Sequence, residues 1–188
     1  MITQRLLLRL CGLALLAADA ALAAGLPPPV VPAAIKAPAG ESVVLVAHAS
    51  GAQVYVCAGA ADGTSLWTLK APDAELRDAK GALIGHHSVG PAWKLKDGSE
   101  VTGKATARAD SPDPHSIPWL LLSVVSHAGG GVLAAVTHIQ RIHTQGGEVP
   151  PASQCDATKR NSESRSAYSA DYYFYAPEAE EAPQGGPY

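Results

Sequence analysis

His86, His87, Trp93 and Asp97 fall close together, inside a run from Gly85 to Ser99 that also carries Gly90-Pro91 and Asp97-Gly98. An imidazole titrates near neutral pH, so His87 with Asp97 or Asp171 beside it has the makings of a general acid or base. Asp97-Gly98-Ser99 is read more simply as a hairpin turn than as a nucleophile with its partner. There is no G-x-S-x-G elbow, and Gly129-Gly130-Gly131 lacks the G-x-G-x-x-G frame of a dinucleotide site.

Metal chemistry needs three or four convergent ligands. Neighbouring residues on a strand point to opposite faces, so His86 and His87 diverge, as do His138 and His143. The chain has no H-E-x-x-H, no close cysteine pair and no EF-hand loop, so neither a metal nor a cofactor is expected. Only a meeting of His48, His87, His115 and His127 in space would change that.

Aromatic side chains offer a third chemistry, the stacking of a small molecule or glycan. Trp67 and Trp119 each lie in an apolar strand and are read as core. Trp93 follows the Gly90-Pro91 corner and shares a strand face with Leu95. Whether His87 joins that face depends on the register through the corner. His87, Trp93, Tyr55 and Arg141 form the candidate ligand-binding set, and His87 and Asp97 the candidate catalytic pair. Arg141 stands in an otherwise apolar strand and is expected to find Asp171 or Glu148 as an ionic partner.

The elements that must position these residues read as strands. Val43–Ala47, Gln53–Cys57, Leu66–Leu69, Ala74–Arg77, Ala82–Gly85, Val101–Ala107, Trp119–Val125, Val132–Ile142 and Ala170–Tyr175 are β-like, with turns at Ser50-Gly51, Asp62-Gly63 and Asp78–Gly81. The continuous apolar run at Trp119–Val125 suggests a strand buried on both faces. No stretch is convincingly helical.

The N-terminus reads as an export signal. Arg5 and Arg9 flank an apolar run that ends in Ala21-Leu22-Ala23, a signal-peptidase pattern, and no stretch is long enough to span a membrane. Cys57 and Cys155 are the cysteines left after cleavage. An even count in an exported chain is read as a disulfide, ahead of a catalytic Cys57. The formal charge is −3 and the basic residues are scattered, which argues against a nucleic-acid partner.

Six motifs occur in order: Tyr55-Val56-Cys57, Gly85-His86-His87-Ser88-Val89-Gly90-Pro91-Ala92-Trp93, Asp97-Gly98-Ser99, Ile117-Pro118-Trp119-Leu120-Leu121, Ile139-Gln140-Arg141 and Ser169-Ala170-Asp171-Tyr172. Together they resemble the exported bacterial and fungal proteins grouped as domain-of-unknown-function family 3455, from about Val43 to Tyr175. The family pattern singles out His87 rather than His86, and more often has asparagine where this chain has His143. The resemblance implies location and fold and carries no particular activity.

The expected protein is therefore a single all-β antiparallel sandwich or barrel-like domain of roughly ten short strands with one disulfide. Its parts are a signal peptide (1–23), a Pro/Ala-rich extended leader (24–40), the domain (41–176) and a disordered acidic tail (177–188). The expected role is non-catalytic: an envelope-associated module binding a small molecule or glycan. An extracellular hydrolase or lyase using His87 is the alternative, and a purely structural interaction module the third reading.

Overall fold

The computed structural model describes residues 26–178. The expected signal peptide and residues 179–188 of the expected tail lie outside the described residues. Eight strands make up the fold: β1 (Glu41–Gly59), β2 (Ser65–Arg77), β3 (Leu83–Ser88), β4 (Ala92–Leu95), β5 (Glu100–Ala109), β6 (Trp119–Ala128), β7 (His138–Gly146) and β8 (Glu163–Pro177). Each runs antiparallel to the next, and β8 returns to pair with β1, so the sheet closes into a barrel. Closure leaves no edge strand and encloses an interior wide enough for side chains or one small ligand.

Eight strands stand where roughly ten short ones were expected, because two apparent breaks are continuous. Ser50-Gly51 lies inside β1, where Gly51 pairs with Ala74 of β2. A Cβ on Gly51 would collide with the Asp73 carbonyl and Ala74 Cα. Glycine serves close backbone approach there, not a turn. Lys70 to Asp73 likewise continue β2. The strand expected over Val132–Ile142 is split: Val132–Ala135 forms a single 3-10 turn and β7 begins only at His138.

The barrel interior is filled by Leu76, Trp93, Val101, Leu122, Ile139, Tyr168, Tyr172 and Phe174. Small residues on the facing strands, Ala47, Ala49, Ala74 and Ala170, leave room for the large rings. Leu133, fully buried on the 3-10 turn, packs onto the same cluster. Burying each large apolar side chain is worth about 1.5–3 kcal/mol.

A second cluster lies on the outer wall. Ile35, from the stretch read as a tethering leader, is fully buried against Trp119 and Ile142. Its carbonyl accepts a hydrogen bond from Gln140 Nε2 at 2.5 Å, and Gln140 Oε1 accepts from the Tyr175 hydroxyl. The leader thus covers part of β6, β7 and β8. This explains the apolar run of β6: Leu120, Leu122 and Val124 pack inward while Trp119 and Leu121 pack under the leader.

Trp119 is core as expected, but Trp67 is not. Trp67 sits half-buried on β2, and its indole N–H reaches the Pro151 carbonyl at 3.2 Å. It clamps the polar stretch between β7 and β8. The same stretch is held by the Cys57–Cys155 disulfide, which joins residues 98 apart in sequence.

Candidate functional site

β3 and β4 form a hairpin in which Gly85 pairs with Leu95, His86 with Lys94, His87 with Trp93 and Ser88 with Ala92. Gly90-Pro91 is therefore the tip of this hairpin rather than a corner, with Gly90 at φ 122°. Directly opposed residues share a sheet face. His87 and Trp93 both turn inward, and their rings stack with centroids 4.3 Å apart and planes 10° apart. Tyr172 meets both rings edge-on, at 5.1 Å from His87 and 5.4 Å from Trp93. Gly103 on β5 lies against the benzo edge of the indole, where a Cβ would come within 3.1 Å.

His87 Nδ1 lies 2.9 Å from the Ala92 carbonyl, which can only accept, so Nδ1 carries the proton. Burial pushes the imidazole down to about 4, with the Arg141 guanidinium acting the same way and the Ala92 hydrogen bond opposing. At neutral pH the ring is uncharged, with Nε2 left as an acceptor. Burial pushes the Tyr172 hydroxyl the other way, up, and there Arg141 opposes the shift.

These residues line a cavity of about 590 Å³ to which all eight strands contribute. Its wall includes Gln53, His87, Trp93, Arg141 and Tyr172, and the apolar Leu120 and Leu122. Arg141 donates from Nη2 to the Pro118 carbonyl at 2.8 Å. The expected ion pair is absent among the described residues: Asp171 bonds His48 and His143 instead, and Glu148 faces His115. Strand alternation is the reason. Tyr172 and Arg141 point into the barrel, and Asp171 points out. The atoms Gln53 Nε2, Trp93 Nε1, Arg141 Nε and Tyr172 Oη are all buried without a protein hydrogen-bond partner.

The other sequence candidates lie elsewhere. Tyr55 is buried, but its hydroxyl is donated to the Gly147 carbonyl at 2.8 Å and it does not line the cavity. Opposite Val54 and Tyr55 the partner strand β2 carries one extra residue, Lys70, and Gln53 of β1 lines the cavity instead. Asp97 accepts from Ser99 N–H and Oγ through Oδ1, and from Val132 N–H through Oδ2. These bonds hold its carboxyl below the usual range. It follows β4 at the end away from Gly90-Pro91, on the order of 10 Å from the His87–Trp93 pair.

Gln53 is the site residue that the sequence did not single out, whereas Tyr172 belongs to the Tyr172-Tyr173-Phe174-Tyr175 run that reads as a possible pocket lining. A polar residue in an apolar strand was the available signal for Gln53. Outside the barrel, the Asp171 carboxylate bridges His48 Nδ1 at 2.6 Å and His143 Nδ1 at 2.8 Å. Among the described residues no group of three His, Cys, Asp or Glu is arranged to hold a metal ion. No helix there is long and apolar enough to cross a membrane.

The family model described as "Protein of unknown function (DUF3455)" matches residues 38–176. The chain belongs to this family. No curated protein and no solved structure matches it. The DUF3455 match begins at Pro38, so Ile35, which seals the outer wall, precedes the matched region.

Proposed function

We propose that this DUF3455 protein is an exported, non-catalytic module that binds a small molecule in the cavity bounded by the His87–Trp93 stack, Tyr172 and Arg141. One observation carries the reading. Gln53 Nε2, Trp93 Nε1, Arg141 Nε and Tyr172 Oη are buried without protein partners, and all four residues line the same cavity. An unmet buried polar group costs about 1–3 kcal/mol, so four on one wall favour an occupant that supplies acceptors. The cavity volume is in the range of small-molecule sites.

The glycan reading has less support, because Trp93 is 1% exposed and stacked on His87, leaving no open ring platform. The acid–base reading is also weaker. A ring held at about 4 is a poor base near neutral pH and holds almost no acid form there. Export is supported by the Arg5–Ala23 pattern and by the disulfide.

The test is a thermal-shift screen of the oxidised full chain against small metabolites. At least one class should raise the melting temperature saturably, and Ala105→Trp, at the exposed cavity wall, should abolish the shift. A screen without shifts, or shifts that Ala105→Trp leaves intact, leaves the structural-module reading.

A further inference from the structure

Resting on the reading of this cavity as a binding site, we infer that its ligand is a small organic acid: a carboxylate held toward Arg141, with an apolar body against β5 and β6. The first ground is the polarity of the unmet groups. Gln53 Nε2, Trp93 Nε1 and Arg141 Nε can only donate, and Tyr172 Oη can donate as well. Gln53, Trp93 and Arg141 bring donor-only groups to this wall, and the Tyr172 hydroxyl sits beside Tyr168 and Arg141, so the wall is donor-rich and asks for an acceptor-rich group. A carboxylate offers two oxygens and about four lone-pair sites, and its planar geometry suits a guanidinium.

The second ground is charge. Lys70, Lys104 and Arg141 line the cavity, and among the described residues no aspartate or glutamate does. Lys70 pairs with Glu163, whereas neither Arg141 nor Lys104 has a carboxylate partner among the described residues. The chain as a whole is formally −3, so a cationic pocket runs against its overall charge. Positive groups at a cleft attract an anion and raise its local concentration. A cationic ligand meets no counter-charge on this wall, and a neutral one leaves the guanidinium uncompensated.

The third ground is the remaining surface. Leu120, Leu122, Pro72 and Ala105 form much of the wall, and the exposed Leu69 and Val125 form an apolar lip. Inorganic phosphate or sulfate would leave that surface unused. An acid with an aromatic or branched body uses both halves.

The experiment is isothermal titration calorimetry of the oxidised full chain with three probes of one shape: 1-naphthylacetate, 1-naphthylacetamide and 1-naphthylethylamine. The acid should bind at least tenfold more tightly than the amide, and the amine should give no heat of binding. Arg141→Met should bring the acid down to the affinity of the amide, and Ala105→Trp should abolish both. Arg141→Lys, which keeps the charge, should retain part of the preference. Should Arg141→Met fail to fold, the preference of the native chain for acid over amide decides the matter alone. Equal or tighter binding of the amide or amine, lost in Ala105→Trp, overturns the anion and leaves the binding cavity standing. Acid binding that Ala105→Trp leaves unchanged overturns the assignment to this cavity. No binding of any probe overturns both.

Discussion

His87 and Trp93 occupy directly opposed positions on β3 and β4, and their rings lie nearly parallel, 4.3 Å apart. The pair is both core and cavity wall, since each is at most 3% exposed and each lines the same space. Removing either therefore changes stability and binding together unless the substitution is chosen for shape.

Trp93→Ala removes the largest fully buried side chain of the barrel. Large-to-small changes of this kind cost about 3–5 kcal/mol, a large share of the roughly 5–15 kcal/mol a domain has. Denaturant unfolding should place Trp93→Ala near that loss and Trp93→Phe well short of it. Trp93→Phe keeps an aromatic face against His87 but deletes Nε1, so it should weaken acid binding in a chain that still folds. Equal destabilisation by both variants would contradict the packing argument.

The depressed His87 pKa fixes a pH dependence. The folded ring titrates at about 4 and the unfolded one near 6.5. The unfolded state therefore binds more protons between those values, and stability must rise with pH through that window. Above the unfolded value the contribution is fully present; it is lost as pH falls toward the folded value. The full difference is roughly 3 kcal/mol. Urea midpoints compared between pH 4 and 7 should rise more steeply for the native chain than for His87→Gln, whose fit in the site adds only a pH-independent offset. Identical slopes would mean that His87 is not buried neutral.

Much of the barrel was legible in the sequence because antiparallel strands announce themselves by alternation and by Asp-Gly turns. Asp62-Gly63, Asp78–Gly81 and Asp97-Gly98 all fall between strands. Ser50-Gly51 misled because glycine at a close strand crossing has the same composition as glycine at a turn. The His87–Trp93 pairing needed the register across Gly90-Pro91, which one residue of slip would have reversed. Gln53 reads as one polar residue in an alternating strand, with nothing to mark the cavity it faces, and Ile35 was hidden by a proline-rich stretch with no strand pattern. Arg141 was legible as an oddity in an apolar strand, but the absence of its acidic partner is a three-dimensional fact.

The disulfide is one of several ties on the segment between β7 and β8, beside the backbone bonds of Cys57 with Asn161 and Ser162 and the bonds of Arg160 to Ser65 and Gly63. Ala152–Gln154 and Ala157–Lys159 are single 3-10 turns, tied to β2 through Trp67 and to β1 through Cys57. Closing a loop of this length stabilises the fold by about 4–5 kcal/mol in the chain-entropy model. A thiol assay on the unfolded, unreduced protein should detect no free Cys57 or Cys155. The Cys57→Ser, Cys155→Ser double variant should melt well below the native chain, with hydrogen exchange rising first between residues 150 and 162. A free-thiol signal from either position would remove the bond from the fold.

Asp97 separates a structural role from a catalytic one. Its carboxylate ties the turn after β4 to the N–H of Val132, the first residue of the 3-10 turn whose Leu133 is fully buried in the core. Those hydrogen bonds favour the ionised form, so acidification through its lowered pKa weakens the tie. Asp97→Asn keeps acceptor capacity on one atom and should cost little, whereas Asp97→Ala leaves the Val132 and Ser99 donors unmet and should cost about 1–2 kcal/mol. Neither change touches the cavity wall formed by His87, Trp93 and Arg141. Binding of 1-naphthylacetate, measured well below each variant's melting temperature, should therefore match that of the native chain. A loss of affinity in Asp97→Asn without a loss of stability would bring Asp97 back into the site, and with it the acid–base reading of His87.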